Sequence, residues 1–259
     1  MLLSGSQMVG IGLSAPMGRL FAGWAGGIGR AFACEALLCA VAAGLHIAAG
    51  RRFERTRAAP FRALGLDWRS VRAILRGRTA LPVIMIGLAA CSFSGLSTFQ
   101  SLLAAAHGVA PEVFFLTFTA TTVTLRFCVA SRIGRLPLPR LAVALAILML
   151  TGLVGLAASR DHVGTWIAAT LVFSIGYGLN YSALNALVVR LAERGGLSVP
   201  VASQVFTIGY FVGLFGFPPI AERTIALADI EAIITVLAVV ALANVGVALA
   251  LALRDRTDP

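Results

Sequence analysis

The chain contains no lysine and few acids: 21 arginines stand against 11 aspartates and glutamates in 259 residues, giving a formal net charge of +10. Charged residues make up only 12% of the composition and hydrophobic residues 59%, while mean hydropathy is +0.91. Soluble domains carry about 25% charged residues, so a water-soluble globular class is excluded. The missing lysine itself is as compatible with GC-rich codon usage as with chemistry. The basic excess falls mainly in short connections flanking apolar stretches rather than on one exposed face, which argues against a nucleic-acid partner. Cysteine is scarce too. Cys34, Cys39, Cys91 and Cys128 show neither paired spacing nor accompanying histidines, so they read as small buried hydrophobes rather than a disulfide framework or a metal site. The N-terminus lacks the basic start and short apolar core of a cleavable signal, and the segment from Met1 is expected to remain as a first span.

Apolar stretches of membrane-spanning length recur from end to end. Residues 141–158 and 233–253 hold no charge, and about 20 helical residues cross a hydrocarbon core. The pattern predicts an all-α membrane protein with about eight transmembrane helices, over residues 2–24, 31–49, 81–107, 112–133, 138–158, 163–191, 199–220 and 230–253. Arginines gather in every second connection: Arg51, Arg52, Arg55, Arg57, Arg62, Arg69, Arg72, Arg76 and Arg78 after the second span; Arg132, Arg135 and Arg140 after the fourth; Arg190 and Arg194 after the sixth; Arg254 and Arg256 in the tail. The alternate connections hold only Arg30, Arg160 and Arg223, with Arg19 a further exception. Basic loops stay cytoplasmic, so both termini are expected inside a bacterial inner (plasma) membrane.

The longest connection has helical periodicity of its own. Phe61, Leu64, Trp68, Val71 and Leu75 recur on one side, with Arg62, Arg69, Arg72 and Arg76 on the other. This predicts a short helix on the inner membrane surface; the alternative is a solvated loop with chance periodicity.

Polar side chains are costly in hydrocarbon, so their alignment within spans marks a protein or water interior. In the third span Ser94, Ser97 and Ser101 share a stripe beside Thr98 and Gln100; the fourth spaces Thr119, Thr122 and Arg126; the sixth carries Tyr177, Tyr181 and Asn185 with Asn180 beside them; the seventh offers Gln204, Thr207 and Tyr210. Cavity lining is one reading of these stripes. The other is that hydroxyls bond their own backbone or hold helices together, and that Arg126 snorkels to the inner interface. The fifth and eighth spans are apolar nearly all round, Thr151, Thr235 and Asn244 excepted, and are expected to face lipid. Glu35, five residues after Arg30, reads as an interfacial carboxylate or local ion pair, and His46 as interfacial. Glycine and proline are frequent inside the spans, and Gly209 and Gly213 form a small-xxx-small pair that allows close helix approach.

Several segments resemble the C-terminal two-thirds of a major facilitator superfamily transporter. Gly10-Ile-Gly-Leu-Ser-Ala-Pro16-Met-Gly18 looks like that family's glycine-proline motif in its fifth helix, and the long basic connection resembles its central cytoplasmic loop. Ser131-Arg132-Ile133-Gly134-Arg135 looks like the loop motif after the eighth helix, with Ser131 where the family commonly has Asp, which leaves the usual charge latch in question. The resemblance maps the eight spans onto family helices five to twelve, with the two apolar ones in peripheral positions. It divides the chain into residues 1–50, two helices ending an N-terminal half; 51–79, the basic loop with its amphipathic helix; and 80–259, a six-helix C-terminal half. It implies a partial bundle of a secondary active transporter of a small molecule, export being one direction it allows. With four helices fewer than the family, the chain is expected to be N-terminally truncated and not competent alone. The alternative is a non-transporting interaction subunit or remnant needing a complementing chain. The lipid bilayer and a small-molecule substrate are the expected partners, and the expected cavity residues are Gln100, Arg126, Tyr177, Asn180, Tyr181, Asn185 and Gln204. No cofactor or metal is expected. An enzyme is not expected, because Glu35 and His46 stand alone and far apart in depth.

Overall fold

The computed structural model describes residues 17, 18, 20, 23, 27–56, 67–129, 136–159 and 162–257. Regular structure among them is α-helical throughout: α1 (Ile28–Thr56), α2 (Trp68–Arg76), α3 (Ala80–Thr98), α4 (Gln100–Ala106), α5 (Pro111–Cys128), α6 (Leu138–Ala158), α7 (Val163–Arg194), α8 (Val199–Leu227) and α9 (Ile230–Thr257). Six are long and apolar enough to cross a bilayer: α3, α6, α7 and α8 over their full lengths, α1 over Phe32–Gly50 and α9 over Ile230–Asp255. The chain is therefore an all-α membrane protein.

The first predicted span lies almost wholly outside the described residues, as do Phe61, Arg62, Leu64 and the Ser131–Arg135 motif. The fourth is present as α5, but its 18 residues include Glu112 and Arg126, and these charges lower its apolar content. The third is divided at Phe99, whose φ of −101° and ψ of 11° leave the helical region. The polar stripe expected there is divided with it: Ser94 is buried, Ser97 half-buried and Ser101 exposed.

Two compact units form, one holding α1 and the other, Leu66–Pro259, holding α2 to α9. α1 runs past the boundary expected at residue 49, because arginine is a good helix former and the helix has no reason to end where its apolar stretch does. The amphipathic helix belongs to the second unit. Asp67 caps it, accepting the Arg69 N–H at 3.3 Å, and Ile74 is fully buried.

In this second unit the 32-residue α7, about 48 Å long at the standard rise, packs against α3, α5, α6 and α8. Small residues permit the approach. A Cβ added to Gly176 would lie 2.7 Å from both the Leu145 oxygen and the Met149 nitrogen of α6, and one on Gly178 would lie 2.9 Å from Thr122 of α5. At the α3–α8 crossing a Cβ on Gly209 would meet Val83 at 2.9 Å, and one on Gly213 would overlap the Gly87 carbonyl. These pairings make α3 parallel to α8, α5 parallel to α7, and α6 antiparallel to α7. One end of the bundle thus collects Arg69, Arg72, Arg76, Arg78, Arg140, Arg190, Arg194 and Arg254 against Asp67, Glu193 and Asp255; the other has Arg223 with Glu112, Glu222, Asp229 and Glu231.

Helix ends and interruptions follow local chemistry. α4 and α7 both close through glycines at φ 63°, Gly108 and Gly196, where Val109 N–H bonds Ala104 O and Leu197 N–H bonds Ala192 O, each at 2.8 Å, the six-to-one bond of a Schellman cap. α8 continues through Pro218 and Pro219; Pro219 leaves the Phe215 carbonyl without its helical donor, and Pro218 that of Leu214. The Ser94 hydroxyl of α3 donates to the Leu214 carbonyl, so a neighbouring helix satisfies what Pro218 leaves open.

α6 and α9, expected to face lipid, do expose Ile147 and Val154, Val239 and Leu242, and α8 exposes Ile208, Val212, Phe215 and Ile220 as well. α6 moreover buries Leu145, Met149, Gly152 and Leu153. Apolar side chains suit helix packing and lipid contact equally, so lack of polarity does not single out the periphery. The cysteines are not buried: Cys39 and Cys128 are exposed, and Cys34 and Cys91 are half-buried. Hydrocarbon surroundings accept a small thiol without a protein core around it.

Asn244 interrupts apolar α9 and is 1% exposed, with neither amide atom hydrogen-bonded to protein. Removing both halves of an unmet polar group can stabilise. Asn244→Leu is expected to raise the thermal midpoint in detergent, corresponding to roughly 1–3 kcal/mol; a lowered midpoint would mean that the amide is satisfied in the folded protein.

Candidate functional site

Arg126 lies in the last turn of α5, where the helix dipole favours a cation. Its side chain is 9% exposed, so it is directed into the bundle rather than snorkelling outward. Its guanidinium lies within electrostatic range of Tyr177, Tyr210 and Tyr181. These are all the tyrosines in the chain, and they come from two helices other than the one that carries the arginine.

The tyrosines are ordered by packing. Tyr177 stacks on Phe93 of α3 with centroids 4.6 Å apart and lies parallel to Phe173 at 6.0 Å. Phe118 of α5 closes the same group at 5.8 Å from Tyr177. The Tyr177 and Tyr210 hydroxyls meet at 3.4 Å. Tyr181 stands edge-on to Tyr210, at 5.5 Å and 87°, and edge-on to Phe206 at 5.2 Å. Apolar rings cover one side of this group, while the phenol oxygens and the guanidinium supply hydrogen-bond donors on another. Such a set recognises an anionic or acceptor-rich group attached to a flat or apolar body.

Two threonines before Arg126 spend their hydroxyls on their own helix. Thr122 donates to Phe118 O at 2.8 Å and Thr121 to Thr117 O at 2.7 Å, the backbone-bonding alternative. Ser94, bonded to Leu214 O, likewise joins helices.

The remaining expected residues divide. Asn185 lies one turn beyond Tyr181 on the same face and is half-buried, with its side-chain oxygen unbonded. Asn180 is fully buried but turns toward α6, its amide nitrogen 3.8 Å from the Met149 sulfur, and so lies beside the tyrosine group rather than in it. Gln100 is fully buried with both amide ends unbonded. It lies beyond Phe93 in the direction opposite to Arg126, roughly 20 Å from it along the bundle by helix rise, and does not join the site. Gln204 is exposed, in a shallow depression of about 470 Å³ with Ser203, Thr207, Ile208 and Phe211. The spacing explains why: three-residue steps from 204 to 207 to 210 rotate by 60° each, so Tyr210 turns inward while Gln204 remains outside. Tyr210 belongs to the site although it was not among the expected cavity residues; its place in the seventh-span stripe with Gln204 and Thr207 was the signal available in sequence.

No protein-family model matches the chain, and no curated protein matches it. Its class is defined by its own helices: an integral membrane protein with a buried arginine–tyrosine group.

Proposed function

We propose that the chain is part of a secondary active transporter of a small molecule, of the major facilitator type, with Arg126, Tyr177, Tyr181 and Tyr210 at the binding wall and Asn185 at its entrance. The observation that carries this reading is the convergence of three helices on one guanidinium at membrane depth. A buried arginine in a membrane helix is costly to insert, and a purely structural bundle gains little by retaining one. The substrate expected on this chemistry carries an anionic group, held by Arg126 and the phenols.

The reading is tested by accessibility. With Cys34, Cys39, Cys91 and Cys128 replaced by serine, Tyr181→Cys and Asn185→Cys are expected to react rapidly with a charged, water-soluble thiol reagent, and Val212→Cys, on the exposed face of α8, slowly. Unreactive cysteines at 181 and 185 would leave no water path to the arginine and reject the site. Asn185→Leu is expected to lower transport roughly tenfold through loss of a polar contact, read as flux at equal membrane abundance.

A second reading, an assembly completed by a complementing chain, is favoured by Gln204. Gln204 is exposed beside half-buried Ser203 and Thr207, a polar strip on α8 that further protein or water would satisfy. Crosslinking from Gln204→Cys to a second polypeptide in native membranes supports that reading; crosslinks confined to this chain count against it.

A further inference from the structure

We propose that the arginine-rich end of the bundle carries a docking site for an anionic phospholipid, built around α2. This inference is independent of transport. α2 presents three sides. Ile74 is fully buried against the bundle, while Trp68 and Leu75, on the adjoining apolar arc, are 72% and 47% exposed. Arg69, Arg72 and Arg76 continue the circuit and are exposed. A helix docked on one side and apolar on the next suits the headgroup–acyl boundary, where an indole is favoured.

Two depressions flank the helix. One, of about 830 Å³, is lined by Arg78, Thr79 and Arg194 among others; the second, of about 280 Å³, is lined by Arg69 and Ser70. Asp255 is the one acid lining either among the described residues, and its 3.8 Å pairing with Arg194 is solvent-exposed and weak. A phosphodiester seated here gains charge-assisted hydrogen bonds from guanidinium groups. The occupant is a lipid rather than a free anion, because Trp68 and Leu75 stand on the same helix, and a free phosphate offers them nothing.

The test uses the full chain in detergent, titrated with phosphatidylglycerol or phosphatidylcholine, with retained lipid measured by native mass spectrometry. Phosphatidylglycerol is expected to be preferred and to survive an excess of inorganic phosphate. Arg69→Gln and Arg194→Gln are each expected to weaken it roughly fivefold, multiplying in the double variant. Equal retention of the two lipids, displacement by inorganic phosphate, or variants that bind like the native protein would each overturn the proposal. Should the variants not fold, the native protein still decides it: a preference that fades as ionic strength rises supports the site, and one indifferent to salt overturns it.

Discussion

On the proposed transport function, Arg126→Leu is expected to reduce flux by at least about 100-fold, equivalent to some 2.7 kcal/mol, without reducing insertion. The two effects separate because the arginine has opposite roles in them. For insertion the guanidinium is a cost, and leucine removes it. For binding it supplies a fixed positive charge beside Tyr177, Tyr181 and Tyr210, so an anionic substrate would lose its counter-charge and part of its donor set. Arg126→Lys keeps the charge but lacks the planar fork, and is expected to recover part of the flux with weaker apparent affinity. Proteoliposome flux of a transported organic anion, normalised to inserted protein, makes the comparison. Equal flux for Arg126→Leu and the native chain would remove the arginine from the site.

Gly213→Leu is expected to be the most damaging packing change. Its Cβ alone would overlap the carbonyl of Gly87 on α3, and backbone cannot move aside as a side-chain tip can. Overpacking a close contact typically costs 1–3 kcal/mol and sometimes more. Because α3 and α8 also share the Ser94–Leu214 bond, separating them exposes the carbonyl that Pro218 leaves without its helical donor. A lower thermal midpoint and loss of a monodisperse elution peak are expected. Gly216→Leu is the control, since a Cβ there meets nothing within 4 Å. Similar melting of both variants would show that the Gly87 crossing does not govern the effect, since leucine is the better helix former at both positions.

Helices and their membrane class were legible in the sequence because both are local properties. A run such as Ile230–Asp255 has few ways to satisfy its backbone in lipid other than as a helix. The buried site was legible only in part. Tyr177, Tyr181 and Arg126 showed helical spacing and do meet. Gln100 and Gln204 had similar polarity in their spans but diverge, one to the far side of the aromatic stack and the other to the outside of α8.

What the chain determined by itself was the succession of apolar helices, the concentration of arginine at one end and the amphipathic character of Trp68–Arg76. Tertiary structure decided which helix meets which: Gly87 against Gly213, Ser94 against Leu214, and three phenols around Arg126. The physical reason is that polarity inside a span says only that a side chain avoids lipid. The neighbour that receives it depends on helix rotation and crossing, which close glycine contacts fix and sequence spacing alone does not.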